Sequence, residues 1–266
     1  MTIWMLSLAV FLSRLPYLAQ SPPGGVPDAL ESLLAQWDKR VAETRDVHGV
    51  YEATYEDRVL GRNRVQHVEA WFVGPDLLRC DQSKLGSSES DQKSGAPIGG
   101  EGPQKVIVTV ATSQSLTSYD FQSKKECDID LAAFRKTFKK KGFWEGLLYG
   151  LVLAPTEDLR LVAVGLRKNE LLAHFNARLL SKDQHFAYVE FRPKAEDHRS
   201  CDRVVVALNK ADFVLKAARF YEPNGNYITY CVIKAERNSK APLTAETIVR
   251  DLPKGWERYD FPSKER

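Results

Sequence analysis

The chain of 266 residues reads as an α+β fold built mainly from antiparallel strands. Three observations predict this. Segments with period-two alternation of apolar and polar residues dominate both halves. Strand signals follow one another without regular helices between them, which argues against a parallel α/β sheet. Two strand-like runs flank Pro223-Asn224-Gly225-Asn226, and Asn-Gly supplies the positive φ angles that a tight hairpin needs.

The elements follow in order. Ser21 to Pro27, rich in Pro and Gly, cannot continue a helix and reads as a linker over 21–27. Asp28 caps a helix running to about Thr44, with Leu30, Leu33, Leu34, Trp37 and Val41 on one face. Val50 to Asp57 alternates as a strand, Leu60 to Asn63 turns the chain, Val65 to Val73 is a second strand and Leu77 to Asp81 a short third. Lys84 to Gln104 is mostly Gly, Ser, Pro and charged residues and reads as a flexible insertion loop. Strands resume at Lys105 to Ala111 and Ser115 to Phe121. Leu131 to Ala154 is an apolar helical region broken at Gly142, and Asn169 to Phe175 a further short helix. The last third returns to strands at Asn176 to Leu180, His185 to Arg192, Arg203 to Asn209, Val214 to Glu222 and Tyr227 to Arg237.

Ile3 to Leu12 is an apolar run of ten, the length of a signal-peptide core and too short for a spanning helix of about 20 residues. No basic residue precedes it and the exit at Pro16-Tyr17-Leu18-Ala19-Gln20 is a poor cleavage pattern, so residues 1–20 are expected to be a signal peptide or an uncleaved anchor of an exported protein of the periplasm or cell envelope. A net charge of +3 is too small for a nucleic-acid binder. Cys80, Cys127, Cys201 and Cys231 permit two disulfides in three pairings, or buried free thiols, and their spacing argues against a zinc site. The histidines are scattered, and no nucleophile elbow or phosphate loop is present. Asp128 with Asp130, and Glu157 with Asp158, are expected at helix starts, where the helix dipole favours negative charge. No catalytic residue, metal or cofactor is therefore expected.

Three segments carry a family resemblance: Glu190-Phe191-Arg192-Pro193-Lys194, Ala218 to Asn226, and Asp251-Leu252-Pro253-Lys254-Gly255-Trp256. Together with the order of elements they resemble the LolA-like lipoprotein-carrier superfamily, and within it a branch of exported planctomycete proteins. The likeness spans roughly 28–258, giving one domain over 28–260. It implies a strongly curved half-barrel sheet with helices packed in its concave face, where carriers of this kind shield acyl chains. It also implies an Arg on a strand inside the cavity, for which Arg79 is the nearest candidate by position.

The expected function is non-enzymatic: an apolar ligand (acyl chain, lipid or lipoprotein) held in that concavity, in a monomer that binds no nucleic acid. The candidate ligand-binding residues are Phe72, Val189, Phe191, Val206, Ile228 and Tyr230 on strands, with Trp144, Leu147, Leu148 and Leu151 on a helical lid. Ordinary core packing competes for all of them, since a curved sheet must bury its inner face. Lys139 to Lys141, beside Phe143 and Trp144, suit transient contact with an anionic membrane surface or, equally, a solvated helix face. An envelope interaction protein with a filled core, and an enzyme on the same fold, are the alternatives.

Overall fold

The computed structural model describes residues 28–74, 77–84, 105–112, 114–131, 133, 167–194 and 201–261. The expected signal segment, the linker, the insertion beyond Lys84 and the apolar helical middle from 134 onward lie outside the described residues, as do the pair Glu157 and Asp158 and the basic run Lys139 to Lys141.

The first described element is α1, Asp28–Ala42, with acidic Asp28 and Glu31 in its first turn and Lys39 and Arg40 in its last, matching its dipole. The five residues whose spacing predicted one face are the buried ones. Strands β1 (Asp46–Asp57), β2 (Arg62–Val73), β3 (Leu77–Lys84), β4 (Lys105–Ala111), β5 (Ser115–Asp120) and β6 (Lys125–Asp130) follow. A short α2 (Lys168–His174) precedes β7 (Phe175–Lys182), β8 (Phe186–Pro193), β9 (Arg203–Asn209), β10 (Leu215–Tyr221) and β11 (Tyr227–Arg237). The chain closes with α3 (Ala245–Val249) and β12 (Glu257–Phe261).

All strands form one 12-stranded sheet in the order β12-β6-β5-β4-β3-β2-β1-β11-β10-β9-β8-β7. Every neighbouring pair is antiparallel except β12, which lies parallel to β6. The β10–β11 hairpin turns where the sequence predicted, with Gly225 at φ 87° and the Glu222 amide donating to Asn226 O at 2.8 Å. Two findings differ from the sequence reading. Asp128 does not stand at a helix start; it lies in β6 and accepts a 2.6 Å hydrogen bond from the Thr117 hydroxyl of β5, whereas Asp130, the last residue of β6, does precede helical Leu131, and its carboxylate accepts from the Ala133 amide at 2.9 Å. Lys-Glu-Cys-Asp-Ile-Asp offers too little apolar content to announce a strand, and backbone pairing with β5 decides it. The strand β12, after the positive-φ turn at Gly255, is likewise an addition.

One core cluster joins α1 to inward residues of eight neighbouring strands, from Leu78 and Cys80 of β3, through β1 and β11, to Phe175 of β7. Flat, those strands would span roughly 34 Å at about 4.8 Å each, whereas the 15-residue α1 is about 22 Å long. The sheet therefore curls around the helix, which is the half-barrel. Alternation along the strands leaves a second set on the outer face: Tyr188, Val205, Ala207 and Ala217. The strand β9 is accordingly apolar throughout its centre and buried on both sides. The C-terminal segment covers another part of the outer face, with Ile248 of α3 buried and Trp256 edge-on to Tyr119 and Phe121.

Candidate functional site

The inner face is where the predicted strand residues meet. Phe72, Val189, Phe191, Val206 and Tyr230 are buried members of the α1 cluster, and Ile228 packs against it half-buried. Register explains the convergence. Val189 pairs with Val206 across β8–β9, and Ile228 and Tyr230 occupy alternate positions on β11 opposite Phe220 and Ala218. Phe191 is enclosed by aromatic edges, with Trp37 at 5.9 Å and 77°, and Phe175 at 6.3 Å and 72°. The lid residues Trp144, Leu147, Leu148 and Leu151 lie outside the described residues. Trp37 is the contact that the list of candidates missed. Its signal was available, because it sits on the apolar stripe of α1.

The helix is held at its flank as well. Arg167, just before α2, donates to both carboxylate oxygens of Asp38 at 2.8 and 2.9 Å, and the Lys168 amide donates to the same group at 2.8 Å. The Arg167 hydrogen bond holds the Asp38 carboxyl below its ordinary range. In this half of the barrel, α1 fills the concavity as core.

The cluster ends at β3, and the inner face continues beyond it. Ladder pairing places Ile107, Thr109 and Ala111 of β4, Leu116 of β5, and Cys127 and Ile129 of β6 on the same side as Cys80. Leu116 and Ile129 are buried, and Ile107, Ala111 and Cys127 are half-buried. Thr109 and Ser118 stand at the middle of this strip, and Asp120 with Lys125 opposite it closes the end beside Ile107, whose β3 neighbour is Gln82; Ala111, Leu116 and Ile129 form the apolar end.

Arg79 does not point into the concavity. It alternates with Leu78 and Cys80, both in the inner cluster, and so faces outward. There its guanidinium donates to Asp81 at 2.6 and 2.8 Å and to the Ile248 carbonyl of α3 at 2.6 Å, and lies 5.1 Å over the Trp71 ring. Lys105 also pairs with Asp81 at 2.7 Å. A second outer network centres on Glu190, 2% exposed, which pairs with Arg178, Arg192 and Arg203. Burial raises this carboxyl, but the Arg192 hydrogen bond and the three guanidinium charges outweigh it and hold the group below its ordinary value.

The four cysteines are free thiols. Burial pushes Cys80 up to about 12 and also raises Cys127 and Cys231, so these groups stay protonated and are poor nucleophiles. Among the described residues, no three His, Cys, Asp or Glu side chains are grouped to hold a metal, and no helix is long and apolar enough to cross a membrane.

Solved structures share this architecture. An uncharacterized conserved protein from Thermus thermophilus superposes over 88% of this chain and 99% of its own, with a TM-score of 0.50 at 11% identity. That likeness is one of fold. Lipoprotein LppX from Mycobacterium tuberculosis matches over 82% and 98% at a TM-score of 0.43 and 10% identity. A LolA superfamily protein from Nitrosomonas europaea matches over 79% and 93% at 0.36 and 9%. No family model and no curated protein sequence matches the chain.

Proposed function

We propose that this chain is an exported, non-enzymatic envelope protein that holds an apolar ligand, an acyl chain or the lipid part of a lipoprotein, against the inner face of β4 to β6. The observation that carries this reading is the apolar row Ala111, Leu116 and Ile129, which continues the inner face past β3, where the α1 cluster ends. Burial of such a strip supplies about 25 cal/mol per Å², a force that is indifferent to head-group chemistry and suits a carrier. The half-barrel expected from the LolA-like resemblance supports the reading. Residues under α1, including Val189, Phe191 and Val206, would support the fold of the site and not touch the ligand.

Native mass spectrometry of protein purified from a membrane-containing host tests this, combined with titration of a fluorescent fatty acid. Retained lipid, and binding weakened by Ile107→Asn or Ala111→Asn at half-buried positions of this face, are the expected results. No lipid together with no fatty-acid binding refutes the reading. That outcome would favour an envelope interaction protein with a filled core, the function most compatible with full burial of Val189 and Val206 beneath α1.

A further inference from the structure

At the opposite edge of the sheet, a pocket of about 180 Å³ opens between the first turns of α1, the end of β7, the start of β8 and the β9–β10 turn. Leu33, Ala187 and Phe213 give it apolar walls, and Ser32, Gln36, Lys182 and Lys210 give it a polar rim. Lys182 pairs with Ala187 across the ladder, which places it on the inner face beside the helix. Its ammonium has no hydrogen-bond or ion-pair partner among the described residues. The Lys210 ammonium is anchored by the Asp183 carbonyl at 2.9 Å, which leaves further donors for a second acceptor.

Phe213 adds an independent observation. Its backbone stands at φ 52°, a region that bulky side chains avoid. The turn enforces it: the Phe213 amide donates to Asn209 O at 2.8 Å and the Lys210 amide to His185 O at 2.8 Å. The result is an aromatic wall held half-buried against the core cluster. Strain of this kind clusters at binding and switch sites.

We propose that this pocket binds a medium-chain alkyl carboxylate, with its carboxylate between Lys182 and Lys210 and its stem on Leu33, Ala187 and Phe213. Charge complementarity selects an anion, and the apolar walls select an alkyl stem. A volume of 180 Å³ holds roughly six groups of water-like size at about 30 Å³ each, which encloses most of an eight-carbon stem with the carboxylate outside at the lysine rim and is too small for a glycerolipid head with its chain. The site lies away from β4 to β6, and it stands whether or not those strands carry a lipid.

The test is NMR titration of the labelled protein with octanoate, 1-octanol and acetate. Saturable shifts at the Ala29, Ser32, Ala187 and Phe213 amides are expected with octanoate. Lys182→Met and Lys210→Met should each weaken octanoate about 2- to 5-fold at low salt, the scale of exposed ion pairs, and leave octanol unchanged. Ser32→Trp, at an exposed helix position, should close the mouth and abolish the shifts without moving the unfolding midpoint or the retention of long-chain lipid. Equal affinity for octanol and octanoate, shifts located elsewhere, or loss of long-chain lipid in Ser32→Trp would each overturn the proposal.

Discussion

The replacement Trp37→Ala separates a core helix from a lid. Trp37 is 3% exposed and packs edge-on against Phe191 at 5.9 Å. An indole buries about 200 Å², which at about 25 cal/mol per Å² corresponds to roughly 5 kcal/mol as an upper value. Measured truncations of buried aromatics cost about 3–5 kcal/mol, and the T-shaped contact belongs to that loss. A domain is stable by about 5–15 kcal/mol, so the variant should lose about a fifth or more of its stability. Urea unfolding followed by far-UV circular dichroism reads this as a lower midpoint with an unchanged slope. A loss below about 1 kcal/mol would mean that α1 leaves the sheet readily and that the concavity beneath it is accessible, which refutes the placement of the ligand at β4 to β6. In that case fatty-acid affinity, not stability, would respond to the substitution.

Other substitutions have equally definite outcomes. The Glu190 carboxyl is held below its ordinary value in the folded chain, so its contribution is present above the unfolded carboxyl pKa of about 4.3 and is lost as pH falls through the folded value. Thermal melts of Glu190→Gln should accordingly lie below the parent at pH 7 and converge with it on acidification; a constant gap would contradict the assignment. A Cβ at Gly49 would stand 2.2 Å from the Tyr51 hydroxyl oxygen, so Gly49→Ala must displace a fully buried ring and should cost about 1–3 kcal/mol in chemical denaturation. At Gly225, φ is +87° and nothing lies within 4 Å of a new Cβ, so Gly225→Ala should cost about 1–2 kcal/mol from backbone strain alone, with no change in ligand affinity.

What the sequence discloses and what it hides follow from one physical distinction. The helix α1 was legible because Leu30, Leu33, Leu34, Trp37 and Val41 satisfy a 3.6-residue period and lie on one buried face. The β10–β11 hairpin was legible because Asn224-Gly225 has a local conformational reason to turn. The strands β6 and β12 have no such local reason; they exist because an edge needs a backbone partner, a tertiary cause. Facing was hidden for the same reason. Leu77-Leu78-Arg79-Cys80 does not alternate cleanly, so nothing local says which side Arg79 takes. For Phe72, Val189, Phe191, Val206, Ile228 and Tyr230, sequence patterning identified apolar strand positions, and the register supplied their common face. It could not say that α1 already covers them.

The outward direction of Arg79 yields a test that separates a structural role from a ligand-binding one. Asp81 is 3% exposed and Arg79 5%, and the guanidinium also satisfies the Ile248 carbonyl. Arg79→Met would leave a buried carboxylate with Lys105 as its remaining ion-pair partner and would free α3 from β3. Breaking a buried pair on one side costs about 3–5 kcal/mol, whereas replacing both partners by apolar residues is often close to neutral. The expected order is therefore a large loss for Arg79→Met and a smaller one for Arg79→Met with Asp81→Val, with the single variant also cleaved faster by protease near α3. Fatty-acid binding by the folded fraction should stay unchanged in both. If Arg79 instead met the polar end of a cargo in the concavity, the single variant would lose affinity while keeping its stability, and the second substitution would rescue nothing. Because the observed geometry commits this guanidinium to Asp81 and α3, the β3 half of the concavity draws no charge from Arg79, and selection there must rest on apolar area and shape.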